Sequence, residues 1–228
     1  MRSIVLLSAG LDSSVNLAMA AAETEVVTAL TFDYGQKAAA KEIERAKAMA
    51  KRYSITHSVI DLSFLRTPLS ALTGPESVPT ISENDLKNGG KTAASAASVW
   101  VPNRNGVFVN VGAAVAEASQ AGLLVAGFNE EEAVSFPDNS ADFVDAANRA
   151  FSFSTRGRVV LTSYTQELVK AEIIALGLEL NAPFDLIWSC YKAEELMCGV
   201  CESCARFKRA ARQAGAAYLI EGRFAVDN

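Results

Sequence analysis

Four cysteines form the clearest chemical pattern in the chain. Cys190, Cys198, Cys201 and Cys204 are the only cysteines among 228 residues, and their spacing is Cys-x7-Cys-x2-Cys-x2-Cys. Four thiolates spaced this closely suit tetrahedral Zn²⁺, and a site closed by four protein ligands is structural and not catalytic. The pattern therefore predicts a structural zinc site. The alternatives are redox chemistry at Cys201 and Cys204 or a persulfide carrier.

A loop of small and hydroxyl-bearing residues follows the first apolar stretch. Its members are Ser8, Ala9, Gly10, Leu11, Asp12, Ser13 and Ser14. A turn of this kind after a parallel strand lets the backbone approach a phosphate, and Asp12 can hold Mg²⁺. The alternative is an ordinary strand-turn-helix in which Asp12 or Ser13 caps a helix beginning at Ser13. The loop is not a Walker A motif, because no Gly-Lys-Ser/Thr follows.

Two cationic side chains are candidates for phosphate contacts. Arg104 precedes a predicted helix, and its planar guanidinium suits phosphate recognition; a surface salt bridge is the alternative. Lys170 opens a helical segment and can reach a polyphosphate; an exposed first-turn lysine is the alternative. At least one of Asn103 and Asn105 is expected to cap the helix near Arg104.

The elements that must position these residues alternate along the chain. Apolar runs predict strands at 4–7, 26–32, 58–62, 123–126 and 159–161. Helical patterns occupy 13–22, 37–53, 105–120 and 170–178. This alternation predicts a parallel sheet with helices on both faces. Segment 73–99 is rich in small and turn-forming residues, so it is predicted to be a mobile loop over the site, with disorder as the alternative.

Composition narrows the class of protein. Half of the residues are apolar and the formal net charge is -5, which argues against broad nucleic-acid affinity. No apolar run is long enough to cross a bilayer, and we expect no signal peptide and no membrane partner. Clustered thiols in such a chain predict a cytoplasmic protein. The basic residues after Cys204 are predicted to form a solvated helix face, and His57, the only histidine, is predicted to be structural. These basic residues are Arg206, Lys208, Arg209 and Arg212.

Several motifs together resemble one known family. The string SAGLDSS resembles the Ser-Gly-Gly-x-Asp-Ser pyrophosphate loop of the N-type ATP pyrophosphatases. Within that superfamily the chain resembles the 7-cyano-7-deazaguanine synthase family over nearly its whole length. The supporting motifs are FDYGQK at 32–37, VPNRN at 101–105, GFN and FPD within 127–138, KAEI at 170–173, and SCYK before the last three cysteines.

The resemblance implies a fold and an activity. The fold is α/β, a doubly wound, mostly parallel sheet of the adenine nucleotide alpha hydrolase type over 1–180, with a C-terminal zinc-binding helical segment over 181–228. The implied reaction converts 7-carboxy-7-deazaguanine and ammonia to 7-cyano-7-deazaguanine and releases AMP and pyrophosphate. ATP, Mg²⁺ and Zn²⁺ are the implied cofactors, and a homodimer is the implied assembly.

The resemblance also implies residue roles. Residues 8–14 and Arg104 are expected to bind the nucleotide, with Asp12, Ser13 and Lys170 catalytic. Asp138 is expected to accept hydrogen bonds from the N1–H and 2-amino edge of a guanine-like base; the alternative is a cap on the following helix. Phe136 and Trp100 are candidate stacking faces, with a core position as the alternative. The acidic run 130–132 is predicted to be a solvated loop with one member facing the substrate.

The chain departs from the family pattern at three places. Ala9 replaces a glycine and is expected in a turn with negative φ. Residues 38–40 are alanines where the family has a histidine nearby, and Asn139 and Ser140 replace cysteine and arginine. Alternative functions are a relative that adenylates another deazapurine or carboxylate, a tRNA thiolase, or a zinc-dependent nucleic-acid-binding module. The thiolase is disfavoured because no cysteine lies outside the tetrad, and the binding module is disfavoured by the net charge.

Overall fold

Five parallel strands form one sheet in the computed structural model, which describes residues 1–156 and 158–226. The strands are β1 (Arg2–Leu6), β2 (Glu25–Asp33), β3 (Thr56–Asp61), β4 (Leu123–Val125) and β5 (Val160–Thr162). Their order across the sheet is β3-β2-β1-β4-β5. The chain therefore changes direction across the sheet between β1 and β4, which is where ligands bind in open α/β sheets.

Helices connect the strands. They are α1 (Leu11–Glu23), α2 (Ala39–Arg52), α3 (Gly89–Val99), α4 (Arg104–Ala118), α5 (Glu130–Ala133), α6 (Ala141–Ser154), α7 (Lys170–Glu179) and α8 (Glu202–Gln213). Short 3₁₀ helices lie at Ser63–Leu65, Asp85–Lys87, Pro137–Asn139, Phe184–Leu186 and Ala217–Leu219.

The helices cover both faces of the sheet, as the alternating pattern predicted. Val5 and Val125 point to the face that α1, α2, α7 and α8 cover. The adjacent residues Ile4 and Leu124 point to the other face, which α4 and α6 cover. Successive side chains of a strand point to opposite faces, so strands buried on both sides read as continuous apolar runs. The expected doubly wound α/β fold is confirmed.

Segment 73–99 differs from the prediction because it contains a helix. The Asn88 side chain accepts hydrogen bonds from the N–H groups of Gly90 and Lys91 and caps α3. Alanines then fill much of the helix, and alanine has the highest helix propensity. The preceding stretch is tied down by the Ile81 N–H, which donates to the Val200 carbonyl at 2.8 Å. Low complexity in the sequence thus concealed an alanine-rich helix.

The C-terminal segment packs onto the sheet domain. The Trp188 N–H donates to the carbonyl oxygen of Ala9 at 2.8 Å, and α8 packs on α7. Phe207 lies in the same buried cluster as Val15 and Ile173. The division into 1–180 and 181–228 stays a prediction. Within the described residues, no helix combines the length and the apolar character that a membrane span requires.

Candidate active site

A cavity of about 240 Å³ opens where the carboxyl ends of the strands meet. The loop at residues 8–14, which resembles a pyrophosphate-binding loop and is named the phosphate-like loop, lines one part of the cavity through Ser8, Gly10 and Asp12, among others. Phe136 and Asp138 line another part. The structure brings together the following residues singled out from the sequence: Ser8, Gly10, Leu11, Asp12, Ser13, Trp100, Arg104, Phe136, Asp138, Lys170 and Cys190. Of segment 73–99, Val99 is the described residue that lines the cavity.

The loop after β1 holds its hydroxyl groups in a local network. The Ser8 and Ser13 hydroxyl oxygens lie 3.1 Å apart, and the Ser13 hydroxyl donates to the Gly10 carbonyl at 3.2 Å. The Ser14 hydroxyl also donates to that carbonyl, at 2.7 Å, and lies 3.3 Å from the Met49 sulfur. Ser14 is therefore turned toward the core, whereas Ser8 and Ser13 face the cavity.

Ala9 adopts a backbone conformation that the sequence reasoning did not expect. Its φ is +60°, in the left-handed region, so the expectation of a negative-φ turn is wrong. A non-glycine residue costs roughly 1–2 kcal/mol in that region. The Ala9 side chain is buried and its carbonyl accepts the Trp188 N–H, so packing and this hydrogen bond hold the strained turn.

Helix α1 begins without a side-chain cap. Its first residue is Leu11, and its N-cap residue is Gly10, which has no side chain to accept a hydrogen bond. The alternative in which Asp12 or Ser13 is the cap is therefore wrong, as is a helix start at Ser13. The first N–H groups of α1 are left for a ligand or solvent, since no side chain in the described part of the chain accepts from them. A β-carbon on Gly127 would lie 2.6 Å from the Ser13 nitrogen, so a glycine is required for the close approach of the next loop.

Asp12, Glu132 and Lys170 form a buried charge cluster beside this loop. The Lys170 ammonium lies 2.7 Å from a carboxylate oxygen of each acid. Burial raises the pKa of Asp12 and Lys170 opposes this rise. Burial favours neutral Lys170, but the two carboxylates outweigh it and raise the pKa of the amine. Lys170 is 5% exposed, so the alternative of an exposed first-turn lysine is wrong.

One oxygen of this cluster is left without a partner. Asp12 Oδ2 accepts from Lys170, while Asp12 Oδ1 is buried and has no hydrogen-bond partner among the described residues. A buried carboxylate oxygen is costly to leave unsatisfied. Hard cations take carboxylate oxygens as ligands, so the donor set at Asp12 fits Mg²⁺.

The acidic run joins this cluster to helix α8. Glu131 Oε1 accepts the backbone N–H of Lys170 at 3.0 Å, and Glu131 Oε2 pairs with Arg206 and Arg209. Arg206 also donates to Glu202, which lies between two of the cysteines. The run is helical and not a solvated loop, and Arg206 and Lys208 are buried. The two surface predictions are therefore wrong in part, because paired charges on two elements cover one another. Glu130 and Arg212 are exposed, as predicted, and Glu132 is the member of the run that lines the cavity.

Arg104 begins helix α4 and faces two aromatic rings. Its guanidinium carbon lies 5.8 Å from the ring centres of Tyr34 and Phe108, and Nη1 donates to the Tyr34 hydroxyl at 3.4 Å. Arg104 lines the cavity, so the alternative of a surface salt bridge is wrong. Asn103 occupies the N-cap position without a side-chain hydrogen bond, and Asn105 donates to the Asp138 carbonyl at 3.2 Å. The expectation that one of these asparagines caps the helix through its side chain is therefore wrong.

Asp138 lies in a 3₁₀ turn and does not cap the following helix. Ser140 is the N-cap of α6, and its side chain accepts from the Phe143 N–H. Burial raises the pKa of Asp138, and Arg104 opposes the rise. Asn139 donates to Asp138 Oδ1 at 3.4 Å. The carboxylate is thus turned to the cavity, with a cation and an amide beside it.

Two parallel aromatic rings stand near Asp138. The Trp100 and Phe136 ring centres are 6.3 Å apart and their planes differ by 8°. Both side chains are half-buried and line the cavity, so neither is a fully buried core residue. Phe136 and Tyr191 also pack on Leu72 and Val99. Flat aromatic faces at a cavity suit a flat heterocycle.

The four cysteines converge beside the cavity, and Cys190 lines it. All are buried, none is in a disulfide, and their sulfurs lie within 4.8 Å of one another. The Cys198 N–H donates to the Cys190 sulfur at 3.3 Å. The soft donor set and this spacing fit Zn²⁺, and no fifth protein ligand is needed.

Sequence reasoning missed several cavity residues. Tyr34 and Gln36 lie within the quoted FDYGQK motif without an assigned role, and Glu42 follows in α2. One member of the acidic run was expected to face the substrate, but the sequence did not indicate that this member is Glu132. Tyr191 follows Cys190 directly. The motif string was the only signal for the first two, because residue type alone does not reveal which side chain faces a cavity.

Comparisons with known proteins identify the family of this chain. The sequence profile described as "Queuosine biosynthesis protein QueC" matches residues 2–215. A 7-cyano-7-deazaguanine synthase of Pelotomaculum thermopropionicum is 54% identical over 217 residues, 94% of this chain and 98% of the relative. One of Desulforudis audaxviator is 51% identical over 94% of this chain and 98% of its own. One of Methanosarcina barkeri is 46% identical over 94% and 95%, respectively. The chain therefore belongs to the queuosine biosynthesis protein QueC family.

Proposed function

We propose that this protein is a 7-cyano-7-deazaguanine synthase that uses ATP and ammonia to convert 7-carboxy-7-deazaguanine to the nitrile. The observation that carries the proposal is a single cavity in a QueC family member, lined by the phosphate-like loop as well as by Asp138 and Phe136. Such a cavity suits the alignment of a carboxylate with the α-phosphorus of ATP. Several curated relatives with this activity match nearly the whole chain.

The chemistry requires activation and not a covalent nucleophile. A carboxylate resists ammonia because oxide is a poor leaving group, so its oxygen first takes AMP from ATP and pyrophosphate leaves. Ammonia displaces AMP and forms an amide. A second ATP adenylates the amide oxygen, and loss of AMP forms the nitrile. Alignment and exclusion of water are the main contributions of the protein.

The polyphosphate is proposed to bind at the N-terminus of α1. The uncapped backbone N–H groups and the hydroxyls of Ser8 and Ser13 are donors for it. Lys170 and Arg104 supply positive charge near the cavity. Asp12 would hold Mg²⁺ through its unpartnered oxygen, and the ion would neutralise polyphosphate charge. In this proposal Asp12, Ser13 and Lys170 act on the reacting phosphate, as the family resemblance implied.

The deazapurine is proposed to bind at the opposite side. Asp138 would accept the N1–H and 2-amino hydrogens, and Phe136 with Trp100 would contact the ring face. Burial raises the pKa of Asp138, and the Arg104 guanidinium beside it opposes that rise. The cysteines would hold one structural Zn²⁺ through Cys190, Cys198, Cys201 and Cys204. Assembly as a homodimer and a cytoplasmic location stay predictions from the family and the composition.

The test is a product analysis with purified protein, ATP, Mg²⁺, ammonium and 7-carboxy-7-deazaguanine. We expect the nitrile by mass, a transient amide, and AMP with pyrophosphate in a ratio of two per nitrile. Asp12→Asn should lower turnover about 10²-fold or more, because it removes charge felt by the polyphosphate and the metal. Asp185→Asn is the matched control, since Asp185 pairs with Arg52 on the surface. ADP with inorganic phosphate as the main products would contradict the proposal.

A further inference from the structure

Glu42 presents a carboxylate to the cavity from the first turn of α2. Its Oε2 accepts a hydrogen bond from Gln36 Nε2 at 2.8 Å. Gln36 is itself held at both ends, because Nε2 also donates to the Phe32 carbonyl at 3.0 Å and Oε1 accepts the Tyr34 N–H at 3.0 Å. Gln36 is buried, so Glu42 is fixed by a rigid partner.

The second oxygen of Glu42 is not engaged. Among the described residues, Glu42 forms no ion pair within 4.0 Å, and Gln36 is the one hydrogen-bond donor to its carboxylate. The charged or titratable groups that face it are Arg104 from α4, Asp33 from β2 and Tyr34. Burial raises the pKa of Glu42 to about 7, while Gln36 and Arg104 oppose the rise. Near neutral pH this carboxylate can therefore take up and release a proton.

The other carboxylates of the cavity lie beside a cation, and the free oxygen of Asp12 is the one proposed to hold Mg²⁺. Asp12 and Glu132 share the Lys170 ammonium. Asp138 lies beside Arg104 and is assigned to the base edge. The one histidine, His57, bonds Thr31 on the strands and is not a cavity-lining residue in the described structure. Glu42 is thus the cavity group whose protonation state changes near the pH at which a general base works best.

We propose that Glu42 is the proton acceptor for nitrogen in both half-reactions, an assignment that rests on the proposed function. Conversion of an acid and ammonium to a nitrile must remove every N–H proton. The acyl adenylate supplies the electrophilic carbon, but nothing in adenylation removes these protons. A carboxylate with a free oxygen toward the cavity is the group suited to do so.

In the first half-reaction an N–H bond of ammonium breaks and the proton goes to Glu42. The freed nitrogen electron pair forms the C–N bond with the acyl carbon. The C–O bond to AMP breaks, and AMP leaves with the electron pair of that C–O bond. The resulting protonated amide loses a proton to solvent. Glu42 returns its proton to solvent before the second half-reaction.

In the second half-reaction the amide oxygen takes AMP from ATP, pyrophosphate leaves, and one N–H proton is lost to solvent. Glu42 then takes the last N–H proton. The electrons of that bond form the third C–N bond, the C–O bond to AMP breaks, and AMP leaves with its pair. Charge and atoms balance over the two steps, and no oxidant or further reactant is needed.

The test uses Glu42→Gln, which keeps the shape and removes the base. We expect nitrile formation from the carboxamide to fall about 10²–10⁴-fold in single turnover. Exchange of labelled pyrophosphate into ATP with the carboxylate alone should stay near the wild-type rate, because adenylation requires no N–H proton. Glu44→Gln is the matched control, since Glu44 lies two residues away on α2 and pairs with Lys41.

Three outcomes overturn the assignment while leaving the proposed function intact. The first is an unchanged rate of nitrile formation in the variant, and the second is a parallel loss of pyrophosphate exchange and nitrile formation. The third is a first half-reaction that is no faster in the variant with hydroxylamine than with ammonia. Hydroxylamine is neutral at neutral pH, so it should partly bypass the missing base. Absence of nitrile from the wild-type protein would instead contradict the proposed function.

A measurement on the wild-type protein keeps the proposal open to contradiction even if the variant misfolds. The rate from carboxamide to nitrile should rise with pH through about 7, because the ionised form of Glu42 is the base. A wild-type rate from carboxamide to nitrile that does not change between about pH 6 and 8, where a general base of this kind titrates, would overturn the proposal. Because the folded pKa of Glu42 lies above the unfolded value, Glu42 lowers stability progressively as pH rises from the ordinary glutamate pKa to about 7, and the full cost is present above that pH. Folded Glu42→Gln should therefore melt no lower than wild type at high pH.

Discussion

Lys170 is the residue on which two buried carboxylates depend. Replacement by methionine would leave Asp12 and Glu132 unpaired, at a cost of about 3–5 kcal/mol in the free energy of unfolding. Without the ammonium, the folded pKa of both carboxyls would rise above the unfolded value. Both carboxyls are then protonated in the folded state at low pH, where they cost little stability. As pH rises they must ionise without a partner, and the free energy of unfolding falls. We therefore expect the deficit of Lys170→Met, measured by urea unfolding, to be larger at high pH than at low pH.

The control for this prediction is Lys192→Met. Lys192 pairs with Glu194 on the surface at 3.4 Å, and exposed pairs contribute at most about 1 kcal/mol. A Lys170→Met variant that lost the same small amount at every pH would show that the cluster is not an ion-paired unit.

Variants of Asp138 and Ser140 distinguish recognition of the base from capping of helix α6. Losing two charge-assisted hydrogen bonds to the base should cost about 2–4 kcal/mol of binding, so Asp138→Ala should raise the Michaelis constant for the deazapurine far more than that for ATP. Ser140→Ala removes the cap of α6 and should cost about 1 kcal/mol of stability with little effect on substrate dependence. Kinetics and melting curves on both variants give the comparison.

The opposite result would reassign the residue. If Asp138→Ala lowers the melting temperature and leaves both Michaelis constants unchanged, Asp138 is a structural residue and another group reads the base.

At the scale of elements, the cysteine tetrad fixes where α8 begins. Cys201 is the N-cap residue of α8 and Cys204 lies in its first turn. Metal binding to such a site contributes directly to folding. We expect one zinc per chain by elemental analysis, and Cys201→Ser should lower metal content and melting temperature together. Val200→Ala, which alters the neighbouring residue and no ligand, is the control; a metal-free protein of unchanged stability would contradict the prediction.

Helix α8 also connects this tetrad to the phosphate-like loop. Glu202 forms an ion pair with Arg206. Arg206 and Arg209 both pair with Glu131, which in turn accepts the backbone N–H of Lys170. The first residue of α7 is therefore placed by contacts that begin between two cysteines. Disorder in the C-terminal segment would therefore disturb the position of Lys170, on the side of the cavity where the nucleotide is proposed to bind.

At the scale of the whole molecule, the C-terminal segment completes the cavity. Trp188, Tyr191 and Phe207 line it together with residues from the first half of the chain. The hydrogen bond from Trp188 to Ala9 closes this arrangement over the strained turn. A site at the carboxyl edge of the sheet is thus enclosed by residues from both ends of the chain. Such enclosure favours the exclusion of water that the proposed adenylate chemistry requires.

The sequence by itself determined the architecture and the local motifs. Buried parallel strands read as apolar runs, and helices read as amphipathic patterns, so each predicted strand and helix has a counterpart in the structure. The cysteine spacing indicated a metal site because its ligands are close in sequence. The phosphate-like loop was visible for the same reason, since its hydroxyls and turn lie within seven consecutive residues.

Only the tertiary structure decided which distant residues meet. Lys170 contacts Asp12 across 158 positions, and Glu131 contacts Arg209 across 78, so no local pattern revealed that these charges are buried and paired. The positive φ of Ala9 depends on a carbonyl contact with Trp188, and the free oxygen of Glu42 depends on how Gln36 is held. Burial and long-range pairing set the charge state of a side chain, and neither is encoded in its sequence neighbours.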